Sequence, residues 1–322
     1  MSTLRIRPRR LLLVGSVLVD ILMYVDRLPE RGGDCIARRA LLTSGGGFNV
    51  LVAAARLGMP VAYAGLVGDG PMGTRVMTDL AAAGIPLALP RAAGEDTGFD
   101  VGLVESDAER TFVTAPGVES RLHQADLNAV PVLPGDAIYV SGYDLCYPIS
   151  GAALEEWLPR LGSQNLLVID PGPLVAEIPG ERLERVLRRT DLVSLNAREV
   201  RLLTGATNLP GAANRLVPRL APGGWVVARV GAQGCWVASE SQPPWHVPAR
   251  PARALDTTGA GDAHVATLLA RLAAGDDMRT AARVANIAAS IAVERNGPAT
   301  GPTTRELEEA RKDLMNFDDR MG

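Results

Sequence analysis

Leu255-Asp256-Thr257-Thr258-Gly259-Ala260-Gly261-Asp262-Ala263-His264, followed directly by Val265-Ala266-Thr267-Leu268-Leu269-Ala270-Arg271-Leu272, decides how this 322-residue chain is read. In the second half Val265, Leu268, Leu269 and Leu272 recur on one helical face, and Gly275 is a natural stop. The first half is then a turn of small residues feeding a helix N-terminus. There the N–H groups of Gly259, Ala260 and Gly261 lack intrahelical acceptors. Free donors at the positive end of a helix attract an anion, and a first-turn carboxylate such as Asp262 is favoured by about 0.3–1 kcal/mol. Two readings stand on these residues alone. One is a capped helix whose glycines permit a tight turn. The other is a site where an amide cradle holds a phosphoryl group while Asp262 takes a proton from an attacking hydroxyl.

Composition narrows the field. The length allows one large α/β domain or two smaller ones, with a sizeable core in either case. With 47% hydrophobic and 21% charged residues the chain has globular proportions. Its 33 basic residues against 36 acidic ones, with 4% aromatics, give no case for nucleic acid. Cys35, Cys146 and Cys235 form no CxxC pair, which fits a reducing cytoplasm and gives no zinc site. His123, His246 and His264 are equally scattered, which speaks against a histidine metal centre. The basic start Arg5-Ile6-Arg7-Pro8-Arg9-Arg10 and the apolar run after it imitate a signal peptide. However, Asp20 interrupts the run, no small-x-small cleavage site follows, and the run is too short to span a bilayer. Neither membrane nor nucleic acid is therefore an expected partner. The sole lysine is Lys312, in the last expected helix. A Walker A loop and a protein-kinase site each need a lysine near the phosphates, so both are excluded. Countercharge for a phosphate would have to come from Mg²⁺, arginine and backbone amides.

Working back from the turn, Leu11–Val14 is a continuous apolar run of buried-strand length. Asp20 follows it and is read as an acid at a strand's C-terminal edge, where open α/β sheets place ligands; a solvated loop acid fits the segment as well. Residues 34–43 alternate as an edge or lid strand. Ser44-Gly45-Gly46-Gly47-Phe48-Asn49 then enters a helix carrying Val50, Leu51, Ala54 and Leu57 and stopped by Gly58. Val61–Val67 is a further strand, and Gly68-Asp69-Gly70-Pro71-Met72-Gly73 opens a helix with Val76 and Leu80, ended by Gly84. Formally this is GxGxxG. A dinucleotide fingerprint should be followed about 20 residues on by an acid ending a second strand, and Ile85-Pro86-Leu87-Ala88-Leu89-Pro90-Arg91 fits that poorly. Phe99–Glu105 and Arg110–Thr114 flank a polar turn and read as a hairpin, with Arg110 at its mouth either solvated or touching substrate. Beyond it, strands Asp136–Val140, Leu166–Asp170, Asp191–Leu195 and Trp225–Val230 alternate with helical patterns, which implies a parallel sheet covered on both faces. Asn196 and Glu199 have the spacing of an ordinary capping box, as do Thr303 and Glu306. The Ala-rich helix Met278–Val293 starts near Asp277.

Asp256-Thr257-Thr258-Gly259-Ala260-Gly261-Asp262 resembles the C-terminal signature of the ribokinase-like (PfkB) carbohydrate kinase family, and further matches extend over nearly the whole chain. The resemblance implies that Asp262 is the catalytic base and that the amides of Gly259, Ala260 and Gly261 form the anion hole. It implies that Asp20 hydrogen-bonds sugar hydroxyls. Ser44–Asn49 is similar to the family's GG-xxx-N motif, with Ser44 in place of the first glycine, which makes Gly45, Gly46 and Asn49 substrate-binding. Gly68–Gly73 matches the family's G-x-D-x-x-G turn. Asn196-x-x-Glu199 matches the pair that positions nucleotide phosphates and hydrated Mg²⁺; Gly231-x-x-Gly234 matches the turn bordering ATP; Asn286 aligns with a residue beside the adenine. Asp256, Thr258 and Gly297 resemble a monovalent-cation site, implying K⁺. Ala263 and His264 depart from the residues common there.

The fold implied is a three-layer α/β/α ribokinase-like fold with a mostly parallel central sheet. A small β-sheet lid from segments 17–43 and 98–115 is inserted in a single domain over 1–322. The activity implied is ATP-dependent transfer of a γ-phosphoryl group to a hydroxyl of a sugar-like small molecule, with a homodimer through the exposed lid edge. A nucleoside kinase of the same family, a catalytically inactive sugar- or nucleotide-binding protein, and a nicotinamide enzyme are the alternatives.

Overall fold

The structure, a computed structural model, describes residues 4–106 and 109–321, the side chains of 313–321 excepted. The chain opens with β1 (Arg10–Leu13), β2 (Val17–Tyr24), β3 (Arg39–Gly46), α1 (Phe48–Arg56), β4 (Val61–Tyr63), α2 (Pro71–Ala82), β5 (Phe99–Val104) and β6 (Arg110–Ala115). It continues through α3 (Gln124–Ala129), β7 (Asp136–Ser141), α4 (Gly142–Cys146), α5 (Pro148–Trp157), β8 (Leu166–Asp170), α6 (Gly180–Leu187), β9 (Leu192–Asn196), α7 (Ala197–Thr204), α8 (Leu209–Leu216) and β10 (Trp225–Arg229). It closes with β11 (Cys235–Ser239), β12 (Gln242–Val247), α9 (Ala260–Ala274), α10 (Met278–Val293) and α11 (Thr304–Met321).

Eight strands form one sheet in the order β12-β11-β10-β9-β8-β7-β1-β4, parallel from β4 to β10 with β11 and β12 antiparallel at one edge. Successive side chains of a strand point to opposite faces. Leu11, Leu13, Tyr139 and Val227 join one core with residues of α1, α9 and α10, such as Leu51, Leu268 and Ala285. Leu12, Ile138, Ile169 and Val226 join the other with Leu154, Leu183 and Leu216 of α5, α6 and α8. Burial on both faces is why these strands read as unbroken apolar runs; each such Leu or Val contributes roughly 1.5–3 kcal/mol. Helix α9 ends at Gly275 in the left-handed conformation, φ +104°, as its sequence implied.

A second, four-stranded sheet has the order β3-β2-β5-β6 and is built from the two segments expected to lie outside the main layers. Asp107 and Ala108, in the expected hairpin turn, lie outside the described residues. Strand β3 differs from expectation: it starts at Arg39 and runs on through Ser44, Gly45 and Gly46, because Arg39–Gly46 pairs residue for residue with Val17–Tyr24. Ser44 is buried, and its amide and hydroxyl both donate to Asp79 of α2, at 3.0 and 2.9 Å. The glycine run is thus the end of a strand tied to a helix, not a free hinge. Asp20 differs too. It sits in the middle of β2, not at a strand end, because pairing with β3 on one side and β5 on the other carries the strand past the acid to Tyr24. Strand β4 stops at Tyr63, beyond which only isolated bridges to Leu87 and Ala92 remain. Helix α5 begins at Pro148, since proline suits a first turn. Among the described residues no helix is long and apolar enough to cross a membrane.

Candidate active site

The C-terminal ends of β8, β9 and β10 present Asp170, Ser194 with Asn196, and Arg229. This is where open α/β sheets expose a crevice. The turn Asp256–Asp262 lies over these ends. Gly259 precedes α9 with φ +73°, a conformation costly for any residue with a Cβ. Among the described residues the amides of Gly259 and Gly261 have no hydrogen-bond acceptor, and that of Ala260 reaches Thr257 O only at 3.3 Å. The Arg229 guanidinium lies directly beneath. Its Nη1 donates to Asp170 Oδ2 at 2.9 Å and Ser194 Oγ at 2.9 Å, and lies 3.5 Å from Gly261 O. A Cβ on Gly261 would come within 3.3 Å of Arg229 Cζ, so the turn approaches the guanidinium closely because a glycine is there.

Asp262 follows in the first turn of α9. Burial, and then the charge of Asp170, push its carboxyl up to about 6 against the opposing pull of Arg229 and of the Asn49 amide. A carboxylate raised this far is still ionised at neutral pH and is a stronger proton acceptor than an ordinary one. Asn49, in the first turn of α1, is 6% exposed, and its Oδ1 is buried without a partner. Asp20 is also 6% exposed. Burial raises its carboxyl well above the usual range, helped by the charges of Asp100 and Asp262, so these three acids sit within electrostatic range of one another. A Cβ on Gly45 would land 1.9 Å from Asp20 Oδ1, so the Asp20 carboxylate rests over the bare backbone of β3. Gly46 is exposed at the strand end with φ +59°. The structure therefore brings Asp20, Gly45, Asn49 and Asp262 to one place, as the sequence expected.

The residues expected around a nucleotide are more self-engaged. Asn196 Oδ1 accepts from the Glu199 amide at 3.0 Å, and Glu199 accepts from the Asn196 amide and Nδ2 at 2.8 and 2.6 Å, a closed capping box. Glu199 is 2% exposed, and burial followed by the Asp170 charge raises its carboxyl. Gly231 and Gly234 bound the turn between β10 and β11, and a Cβ on Gly234 would strike Val247 O at 2.1 Å. Asn286 is buried, and its Nδ2 donates to Val247 O and Pro248 O while its Oδ1 pairs with His264 Nε2 at 3.2 Å. That leaves its amide no free donor for a base. The Asp256 carboxylate accepts from the Thr258 amide and hydroxyl and from the Gly297 amide at 2.9 Å. Burial opposes its ionisation, but these hydrogen bonds and Arg110 outweigh burial and hold it below the usual range. Where the resemblance implies a monovalent cation, the Arg110 guanidinium stands 3.5 Å from Asp256 Oδ1 and donates to the Thr257 and Thr258 hydroxyls. Arg110 thus joins the small sheet to the glycine turn instead of facing solvent.

The other glycine turn, Gly68–Gly73, is closed from within. Asp96 accepts from the amides of Met72 and Gly73 at 3.1 and 2.8 Å, Thr97 Oγ1 accepts from Gly68, and Asp69 accepts from Gly94. A Cβ on Gly68 would meet the Asp96–Thr97 backbone at 2.5 Å. No pyrophosphate can enter there, which removes the dinucleotide reading.

Reasoning on the sequence missed Asp100 and did not give Asp170 and Arg229 their place beneath the turn. The last two follow a general rule, since both end parallel strands next to the crevice. Among the described residues no cluster of three or more His, Cys, Asp or Glu side chains could hold a metal by itself. A divalent cation that keeps most of its waters needs fewer protein ligands than that, and Asp170, Glu199 and Asp262 give the crevice a negative field suited to one.

Comparison with known proteins gives the family and the fold. The model of the pfkB family carbohydrate kinases matches residues 8–305. A relative from Escherichia coli strain K12, the uncharacterized sugar kinase YegV, is 33% identical over 309 residues, covering 94% of each chain. The adenosine kinase of Sinorhizobium meliloti superposes with a TM-score of 0.80 at 21% identity, over 96% of this chain and all of that one (100%). A putative ribokinase II of E. coli, solved with ATP and Mg²⁺, gives 0.77 at 22% identity over 95% and 99% of the two chains.

Proposed function

This chain belongs to the pfkB family of carbohydrate kinases, and from that premise we propose that it transfers the γ-phosphoryl group of ATP to a hydroxyl of a sugar or sugar-like acceptor. The observation that carries the proposal is the Asp262 carboxylate, raised to about 6, beside a turn whose Gly259 and Gly261 amides have no internal acceptor. The acceptor hydroxyl lies between Asp20, the Gly45–Gly46 backbone and Asn49. As its oxygen attacks the γ-phosphorus, its proton passes to Asp262 and the bond from phosphorus to the ADP oxygen breaks. The amides of Gly259, Ala260 and Gly261 stabilise charge on the phosphates, and Arg229 fixes the turn from below. Such a mechanism works by positioning and electrostatics.

Glu199 and Asn196 stand where they would steer hydrated Mg²⁺, which when bound neutralises phosphate charge. Gly231 and Gly234 form the edge of the nucleotide site. Asn286 shapes the wall behind the base by holding the end of β12, since its amide is already engaged. The fit for K⁺ at Asp256, Thr258 and Gly297 is poor, because Arg110 already supplies a positive charge there. The small sheet acts as the lid. Its outer residues Val113, 71% exposed, and Leu42, 41%, with Ile36 in the approach to β3 at 93%, favour a second copy packing against it. Sedimentation of the purified chain tests that.

ADP release with ATP, Mg²⁺ and a panel of ribose, fructose, sugar acids and adenosine tests the proposal. Release that depends on one acceptor supports it. ATP and acceptor binding without any release would make the chain a binding protein.

A further inference from the structure

We infer that Asp100 is a specificity-determining residue, forming with Asp20 a pair of carboxylates that admits an uncharged or ammonium-bearing polyol and turns away sugar acids and sugar phosphates. The inference relies on the kinase reading only for where the acceptor lies.

Asp20 of β2 and Asp100 of β5 are direct partners in a parallel ladder, so their side chains share one face of the small sheet at a strand spacing of about 4.7–4.9 Å. That face is the inner one. Asp100, Gly102 and Val104 alternate along it, Val104 pairs with Arg110, and Arg110 reaches the hydroxyls of Thr257 and Thr258 across the cleft. Asp20 is more than nine-tenths buried, yet among the described residues no donor reaches its carboxylate. Asp100 Oδ1 and Asn49 Oδ1 are likewise buried without partners. Buried acceptors are normally paired. Two orphaned ones beside the Asp20 carboxylate, with no donor from the described residues, call for a ligand that brings donors: hydroxyl or ammonium hydrogens.

Among the described residues no cation balances the two acids. Arg110 is engaged by Thr257, Thr258 and Asp256, Arg229 by Asp170 and Ser194, and Arg39 lies over the Tyr24 ring at 5.2 Å. Burial lifts the Asp100 carboxyl to about 6, and burial with the charges of Asp100 and Asp262 raises that of Asp20 well above the usual carboxylate range. Both shifts mark a pocket that disfavours negative charge, where a further anion finds no compensating partner among the described residues.

The test uses the full chain and two variants, Asp100→Asn and Asp100→Ser. The probes are D-ribose and D-fructose (neutral), D-glucosamine (ammonium), and D-gluconate and fructose 6-phosphate (anionic). Binding is read by calorimetry and turnover by ADP release. The wild type is expected to favour its best neutral or ammonium probe over either anion by about tenfold or more. Asp100→Asn should shrink that ratio by improving the anions; if its circular dichroism shows misfolding, Asp100→Ser carries the same expectation. An anion preferred by the wild type, binding by no neutral or ammonium probe, or an unchanged ratio in a folded variant would overturn the inference. Preference for an anion with ADP release leaves the kinase reading standing. The expected binding order without any ADP release sinks that reading and leaves this inference intact.

Discussion

Two glycine-rich turns feed helix N-termini in this molecule, and they have opposite fates. At Gly68–Gly73 the chain supplies its own anion: the Asp96 carboxylate occupies the first amides of α2. At Gly259–Asp262 the amides of Gly259 and Gly261 stay free among the described residues, and the nearby carboxylate, Asp262, accepts no hydrogen bond from them. Both turns have the local chemistry of an anion site. What separates them is a third party, the acid that folds onto one and not the other. A glycine pattern identifies a turn that could take an anion; only the filled or unfilled state of its amides tells whether a ligand is wanted.

The contrast can be broken by exchanging what each turn lacks. Replacing Asp262 by Asn keeps the shape and removes the base. Turnover should fall by about 10²–10⁴-fold with nucleotide binding retained. The same variant should melt higher at neutral pH. Because the folded carboxyl is raised to about 6, the stability it contributes is present in acid and lost as pH rises through that value, and the amide has no such loss. Arg110→Ala cuts a charged tie between the small sheet and the free turn. A drop of about tenfold in kcat/KM is expected from losing charged hydrogen bonds, with little change in melting temperature. Asp96→Ala should do the reverse. It orphans two amides at α2 and costs roughly 1–3 kcal/mol of stability in denaturant titration, while turnover stays close to wild type. If Asp96→Ala abolished turnover and left stability alone, the division between the two turns would be mistaken.

Much of this was legible in the chain itself, for identifiable reasons. Strands such as Leu166–Asp170 and helices such as Met278–Val293 announce themselves because their burial pattern is local and their ends are marked by Gly275 or Asp277. The cluster of Asp20, Gly45, Asn49 and Asp262 was legible only through the family resemblance, because those residues meet through long-range packing. The small sheet was harder. Gly45 and Gly46 oppose strand propensity, yet pairing with Leu18 and Val17 overrides it. Asp100 was invisible because its meaning depends on register: it matters only once β5 lies beside β2 with Asp20 opposite. The internal engagement of Asn286 and of the Gly68 turn was equally hidden, since each partner comes from a distant segment.

Phosphoryl transfer as proposed needs Asp262 to be an ionised base at neutral pH, and the pH dependence of kcat with ATP and acceptor both saturating tests this most directly. The expected curve climbs about tenfold per pH unit in acid, bends near the Asp262 value of about 6, and is level above it. A kcat that stayed constant from about pH 5 to about pH 7 would contradict it.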